Sequence, residues 1–529
     1  MGIKYFFSWF RKTFSKHIRI VKNQLDIPID TLLIDLNGIF HQCAQKAFNY
    51  GSFAKKPIIN YNRQLSFFYE QTGNYISHIV SIVKPKKIVM CIDGVAPVSK
   101  QFQQRQRRYK SEVHPDAFDS NCITPGTRFM DSLSQYLEWF IRYKMANDPL
   151  WPEVIFSNEK VPGEGEHKLV KYVRQFGSEN EHYMIHGMDA DLIMLALASQ
   201  RENFHILREN RNDLFHIDMK PIRDTLVYTL LQEPSMLKDQ FFINDFILMM
   251  FMSGNDFLPH LPTIDILEGS IETFFDVYRN TVSSYGNIVS TFYTIQAKPL
   301  QILLGTLAAS EISVLEERRT KVRDSLLEKH TELINLEYKL NWEAYRKDYY
   351  LKLNCHSEKD IENACIQYLK GMQWVLTYYL EGVSSWNWYY PYSYAPFCSD
   401  MQKYCTENTD KVVTNDKPYD PLFQLLCVLP PKSSNLLPTN LQQIMTNPKT
   451  AIFYPEEFKV DMDGKRNDWE GIVILPTMNH SILYKEYKKI STKSKSDISR
   501  IYKPCLESFE YKSKYGTIQS NVSINSIDL

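Results

Sequence analysis

Seven carboxylates stand where short apolar runs end or where helices begin. Leu32-Leu33-Ile34 runs into Asp35, the run 88–92 ends at Asp93, and the run 183–187 leads to Asp189, with Asp191 two residues on. The turn Val161-Pro162-Gly163-Glu164-Gly165-Glu166-His167 opens a helix and adds Glu164 and Glu166, while the apolar segment 241–252 ends in Ser253-Gly254-Asn255-Asp256. Any one of these acids is ordinary, since an Asp after a strand usually caps a helix or starts a turn. Gathered at one edge, they would repel and raise one another's pKa unless cations neutralised them. A donor set of oxygens alone, without His or Cys, suits Mg²⁺ or Mn²⁺ rather than zinc. Two such ions about 4 Å apart can generate an attacking hydroxide and stabilise the leaving oxygen of a phosphodiester. The pattern predicts a nuclease. A spacing of two does not face both members of a pair the same way on a regular helix, so one of Glu164/Glu166 and one of Asp189/Asp191 must lie on the loop side.

Asp93 is followed by a basic strip, Lys100-Gln-Phe-Gln-Gln104-Arg-Gln-Arg107-Arg108. Lys100, Gln104, Arg107 and Arg108 recur at i, i+4, i+7 and i+8, one face of a helix. Such a face is usually just solvated. Beside a metal-bearing strand end, two guanidiniums, an amide and an ammonium also make a pocket for a terminal phosphate.

The elements that must position these groups follow from periodicity. Apolar runs of strand length fall at 31–34, 87–92, 153–156, 183–186 and 204–207. Between them, Leu65, Phe68, Tyr69, Ile76, Ile79, Val80 and Val83, and then Phe129, Met130, Leu133, Leu137, Phe140 and Ile141, recur at helical spacing. Alternation of this kind predicts an α/β fold, a mostly parallel sheet flanked by helices, with Asp35, Asp93 and Asp189 sharing its carboxyl edge. Residues 310–340 are charged and helix-forming without Gly or Pro, which predicts one long helix or two. An amphipathic helix is expected over 361–380, with Ile366, Leu369, Met372, Leu376 and Tyr379 near one stripe, followed by an aromatic stretch at 385–396.

Composition sets the class. The 529 residues are 44% apolar and 23% charged, ordinary for a globular protein, and 61 basic side chains balance 61 acidic ones, so a polyanion must be held by a local patch. Nine cysteines are scattered without a C-x-x-C pair, which predicts reduced thiols, no structural zinc and a cytoplasmic setting, with the nucleus as the alternative. The aromatic start is interrupted by Arg11 and Lys12 and lacks the features of a signal peptide. Phe6 stands where a myristoylation signal wants Ser or Thr, and no run of about 18 apolar residues is present to cross a membrane.

The sequence resembles the XRN family of 5′→3′ exoribonucleases, itself related to flap endonucleases and PIN-like nucleases. The motifs are LLIDLNGIFHQC (32–43), CIDGVAPVSKQFQQRQRR (91–108), FDSNCITPGTRFM (118–130), VPGEGEHK (161–168), GMDADLIMLAL (187–197), SGNDFLPHLP (253–262), SWNWYYPYSYAP (385–396), PLFQLLCVLP (421–430) and YPEEFKVDMDGKRNDWEGIVILP (454–476). They stand in family order over about residues 1–480, with a gap across the helical segment. The resemblance implies metal ligands at Asp35, Glu164, Glu166, Asp189, Asp191 and Asp256, with Asp93 completing the catalytic acids, and the use of two Mg²⁺ or Mn²⁺ ions. It also implies a 5′-phosphate pocket at Lys100, Gln104, Arg107 and Arg108. Base stacking would fall to His41 and Trp469, with Trp386 the alternative for the latter. Lys4 stands where the family commonly has proline, and Ser393 where histidine is common.

These readings divide the chain into an α/β nuclease domain at 1–280, a long helical connecting segment at 281–360, a second conserved region at 361–485 expected to wall the site, and a Lys/Ser-rich tail at 486–529. Without a long extension or a zinc knuckle, the chain reads as a catalytic core standing alone, expected to be a monomer. The expected activity is processive removal of nucleoside 5′-monophosphates from single-stranded RNA with a 5′-monophosphate, in mRNA decay. A decapping or RNA-modifying partner is compatible with that activity, but no residue nominates one. The competing readings are a structure-specific flap endonuclease, opposed by the basic helix and the second region, and an inactive RNA-binding scaffold, opposed by seven intact carboxylates.

Overall fold

The chain opens with helix α1 (Phe6–Thr13) and strand β1 (Ile18–Val21), and then alternates strands and helices as the apolar runs require. β2 (Thr31–Asp35), α2 (Leu36–Phe48), α3 (Tyr61–Val83), β3 (Lys87–Cys91), α4 (Val98–Lys110), α5 (Arg128–Asn147), β4 (Glu153–Ser157), α6 (Gly165–Phe176), β5 (Tyr183–His186), α7 (Asp191–Ala198), β6 (Phe204–Asn210) and β7 (Asp213–Asp218) follow in order. This computed structural model describes residues 2–51, 53, 58–111, 117–210, 213–231, 240–280, 282–405, 411–490, 500, 510–512 and 517–519. Most of the expected tail lies outside them. By its contacts the chain divides into two compact units, each assembled from separated stretches.

The sheet unit comprises Phe14–Ile222, Asp416–Glu456 and Pro476–Leu529. Its nine-stranded sheet runs β1-β7-β6-β5-β2-β3-β4 and continues into two tail strands, Thr517–Gln519 and Glu510–Lys512. Pairing from β6 through β4 is parallel, whereas β1 and β7 pair antiparallel at the edge. β2 and β5 are buried along their whole length, as a parallel strand covered on both faces must be. One core joins β2, β3 and β4 to the inner faces of α2, α3 and α5, and every apolar position that the spacing assigns to α5 is buried there. The register sets Asp35 opposite Cys91, Cys91 opposite Ser157 and Ile34 opposite His186. The carboxyl ends of β4, β3, β2 and β5 therefore finish level, and their loops leave from one edge.

The helical unit comprises Met1–Thr13, Arg223–Asn415 and Glu457–Leu475. Here the expectation of a long helix over 310–340 is corrected. The segment is a short helix, Glu311–Arg318, then a five-residue helix, Ser325–Lys329, then an antiparallel hairpin of Thr331–Ile334 and Glu337–Leu340. Asn335 and Leu336 sit between those strands with φ of 51° and 68°, the left-handed pair of a type I′ turn. Helix-forming composition is overridden by that turn. The helix expected at 361–380 is Glu358–Leu380, started by a Ser357/Asp360 capping box, and it is buried on every side from Gly371 onward rather than along one stripe. The apolar helix Gln240–Phe251 is likewise buried from Phe242 to its end.

Candidate active site

The site in the sheet unit begins with three glycines and an asparagine. Gly94 N donates to Gly163 O, and Gly163 N to Val95 O, both at 2.8 Å, so the turn after β3 is stitched to the turn before α6. A Cβ on Gly94 would stand 1.8 Å from Val161 O, which no side chain allows. A Cβ on Gly165 would meet Asp35 Oδ1 at 2.9 Å and Asp93 Oδ1 at 3.3 Å, so this glycine opens the space beside both acids. Asp93 is held on each oxygen: Gly165 N donates to Oδ1 at 2.6 Å and Asn37 Nδ2 to Oδ2 at 2.7 Å. Asn37 also accepts from Asp93 N at 3.1 Å, and its own N–H caps to Asp35 Oδ1 at 3.3 Å. With both oxygens engaged, Asp93 orients the two turns. Lys168, buried behind them, donates to Asn158 O and Val161 O at 3.0 and 3.2 Å, and burial lowers its pKa to about 8.

The paired acids divide between loop and helix. Glu164 is the residue before α6 and Glu166 lies in its first turn; Asp189 is on the loop and Asp191 begins α7. Glu164, Glu166, Asp191 and Asp35 are buried, and Asp189 is exposed. Burial is the main reason that the Asp35 carboxyl is pushed well above the usual range, and Asp93, Asp189 and Glu164 push it further. Glu166 is raised for the same reason, by burial and then by Asp191, with Lys100 opposing. Its Oε2 is buried and accepts no hydrogen bond among the described residues. Oxygen donors, mutual repulsion and an orphaned carboxylate oxygen fit a hard divalent cation. Among the described residues, however, no three His, Cys, Asp or Glu side chains are gathered at metal-ligand spacing. The expected ligand set is thus not closed: Lys100 forms a buried ion pair with Glu164 and neutralises one member of it. Asp256 belongs to the helical unit, half-buried in a turn that Asn255 Oδ1 fixes by accepting from Phe257 N and Leu258 N at 2.8 and 2.9 Å.

The basic strip is α4, and its side chains take three different roles. Arg105 faces the core, donating to Phe453 O at 2.5 Å and Pro476 O at 2.8 Å, and is structural. Lys100, Gln104 and Arg108 are buried on the expected face, whereas Arg107 is exposed. Arg108 Nη2 donates to Thr124 Oγ1 at 2.8 Å, but its Nε and Nη1, and Gln104 Oε1, are buried without hydrogen-bond partners. Burial and the neighbouring Arg107 lower the Arg108 guanidinium to about 9, against Asp93 and Asp119. A buried guanidinium with idle N–H groups is a strong demand for an anion. His41, half-buried on α2, joins the two regions: burial, then Arg107 and Arg108, lower its pKa to about 4, while Asp189 opposes them.

Two polar side chains at this site escaped the sequence reading. Asn37, two residues past Asp35, is the clip just described. Arg208 follows the His186–Leu207 pair on β6 and is still paired, with Phe215 of β7, at the level where β5 has ended. Burial lowers it to about 10, and Asp189 and Asp191 oppose that shift. Its place directly after the apolar run 204–207 was the available signal. Trp469, in the helical unit, is 57% exposed, with Tyr5 at 5.6 Å between ring centroids and the Lys4 ammonium 5.6 Å from its ring. Trp388 instead stacks on the buried Trp374 at 5.3 Å, and Trp386 is half-buried.

Comparison with known proteins agrees with the motifs. The family description "XRN 5′-3′ exonuclease N-terminus" matches residues 1–116 and 110–210, and "Xrn1 helical domain" matches 237–338 and 327–500. The chain belongs to the XRN family. It is 29% identical to 5′-3′ exoribonuclease 1 of Homo sapiens, over 92% of this chain and 35% of the human protein. It is also 29% identical to 5′-3′ exoribonuclease 1 of Schizosaccharomyces pombe, over 91% of this chain and 48% of that protein. The chain thus spans about a third to a half of the length of these relatives. Among solved structures, the catalytic core of Rad2 in complex with DNA substrate is similar at 15% identity and a TM-score of 0.33, over 65% of this chain and 85% of that one.

Proposed function

We propose that the protein is a divalent-metal-dependent 5′→3′ exoribonuclease, removing nucleoside 5′-monophosphates processively from single-stranded RNA that begins with a 5′-monophosphate, in cytoplasmic mRNA decay. The observation that carries this reading is His41, which feels both Arg107/Arg108 and Asp189. A phosphate-hungry arginine and an acidic strand edge lie within electrostatic reach of one side chain. That closeness suits an enzyme that measures one nucleotide from a terminal phosphate. Family membership supports the reaction class.

In this reading Arg108, Arg107 and Gln104 hold the terminal phosphate, and Lys100 is shared between that phosphate and Glu164. His41 offers a face for the terminal base; a stacked base contributes about 1–3 kcal/mol. Trp469 is proposed as a second stacking ring, and Asp256 as a further ligand, on the family resemblance alone. Asp35, Glu164, Glu166, Asp189 and Asp191 would hold Mg²⁺ or Mn²⁺, two ions by that resemblance. Bound cations there supply charge neutralisation and activation of water. Asp93 and Asn37 keep Asp35 aimed. The cytoplasmic assignment is supported by eight buried, unpaired cysteines among the described residues, which fit a reducing compartment.

The test is one RNA body carrying 5′-monophosphate, 5′-hydroxyl, 5′-triphosphate or a cap, in Mg²⁺ at fixed salt because phosphate contacts are salt-sensitive. Rapid decay of the monophosphate RNA alone is expected. Equal rates on all four ends overturn the pocket assignment, cutting of a DNA flap in preference to RNA favours the endonuclease, and binding without cleavage favours the scaffold.

A further inference from the structure

The helical unit contains a cavity that the carboxylate edge and the basic helix do not explain. A partly open space of about 50 Å³ is lined by residues from the chain start, the Ser253–Glu268 region, the helix carrying Arg318 and the 464–470 turn. A buried water needs roughly 10–15 Å³, so the space admits several waters or one tetrahedral oxyanion. Four cations line it, Lys4, Arg318, Lys465 and Arg466, against Asp265, Glu268 and Glu470.

The pairing of these charges is uneven. Arg318 donates to Glu268 through Nε at 3.0 Å and Nη2 at 2.7 Å, and also to Pro262 O. Arg466 is taken by Asp265 and, at 2.8 Å, by Glu268. Glu470 accepts from the Tyr5 hydroxyl and from Arg466 N at 3.0 Å. Lys465 instead donates to an imidazole, His260 Nε2, at 3.3 Å. His260 Nδ1 lies 2.9 Å from Leu261 O, an acceptor, so the ring proton is on Nδ1 and Nε2 is the lone-pair side. That ring is neutral and brings no negative charge to the ammonium. Burial, then Lys465, Arg318 and Lys4, lower His260 to about 3, so three cations converge on one ring. Lys465 is itself lowered to about 8 by burial, Lys4 and Arg318, with Asp461 and Asp265 opposing. On the same wall Ser253 Oγ is buried with no hydrogen-bond partner. The acids are largely spent on the two arginines and on Tyr5, while an ammonium and a hydroxyl still face the space. A tetrahedral anion offers acceptors to both.

We propose that this cavity is a second oxyanion site, taking a phosphate-type group on Lys465 with Ser253 and Lys4 as further donors. It stands independently of the exoribonuclease reading. The anion is either free inorganic phosphate or a phosphate of a nucleic-acid backbone, and one experiment separates the two. In the full chain, without divalent metal, amine acetylation near pH 8 is followed peptide by peptide in chloride, in inorganic phosphate at equal ionic strength, and with single-stranded RNA. Phosphate at ten times its dissociation constant should slow acetylation of Lys465 about tenfold, leaving the exposed Lys86 unchanged. Slowing by phosphate assigns the free anion. Slowing by RNA alone, weakening as salt rises, assigns a backbone phosphate. No slowing in either arm relative to chloride, or RNA protection insensitive to salt, overturns the proposal.

Discussion

Asp245 in the helical unit and Glu166 in the sheet unit are both buried acids, and they are buried in opposite ways. Around Asp245 every neighbour is a donor: Tyr278 OH at 2.6 Å, Val289 N at 2.7 Å, and Asn287 Nδ2 and Ile288 N at 3.0 Å. Burial pushes its carboxyl up to about 6 and each hydrogen bond pulls it back. Around Glu166 the neighbours are mostly other acids, and one oxygen has no partner. The first arrangement ties the 287–289 loop to a helix. The second is a cost that only a ligand repays. Two of the three arginines of α4 repeat the contrast, Arg105 with its Nη atoms given to carbonyls and Arg108 with N–H groups to spare.

The strongest test of the comparison is a pair of isosteric changes. Asp191→Asn should cut turnover at least about 10²-fold, since charge at the reacting phosphate is lost, while the melting temperature holds or rises because repulsion with Glu166 is relieved. Asp245→Asn should leave turnover near wild type and cost about 2–4 kcal/mol, because an amide would face the Ile288 and Asn287 donors. Steady-state rates and thermal denaturation of both variants decide it; a destabilised, active Asp191→Asn would undo the distinction. Next come the arginines. Arg108→Met should lower the preference for a 5′-monophosphate over a 5′-hydroxyl about tenfold or more, and Arg105→Met should spare that preference while costing about 2–3 kcal/mol. If Arg105→Met alone lost end selectivity, the division of α4 would be wrong.

The smallest effect is pH dependence. Asp245 has a folded pKa of about 6 against an ordinary 3.8, so the folded state binds more protons between those values. Its contribution is fully present below pH 3.8 and is lost as pH rises through about 6, a difference of up to about 3 kcal/mol. Subtracting the Asp245→Asn stability profile from that of wild type should show that decline; a flat difference would mean that the four donors already cancel the burial.

Much of the sheet was legible because strands buried on both faces are apolar along their length, as 31–34 and 183–186 are. Edge strands β1 and β7 were not: Ile18–Val21 is half-exposed and contains Arg19, and Asp213–Asp218 begins exposed. The hairpin after residue 330 was hidden because its turn depends on Leu336 at positive φ, a residue type that does not announce such a turn. The acids could be found from strand ends, but their helpers could not. Asn37 resembles any polar residue in a first helical turn until Asp93 is brought beside it by the sheet register, and Arg105 and Arg108 differ only in which way α4 lies.

The two units are interleaved along the chain, which passes between them after residues 13, 222, 415, 456 and 475. No single cut in the gene therefore releases either unit whole. A nonsense codon anywhere between the first crossing and the last removes material from both units, and fragment complementation would have to respect five seams. Neither unit can be inherited, lost or fused elsewhere as one uninterrupted cassette.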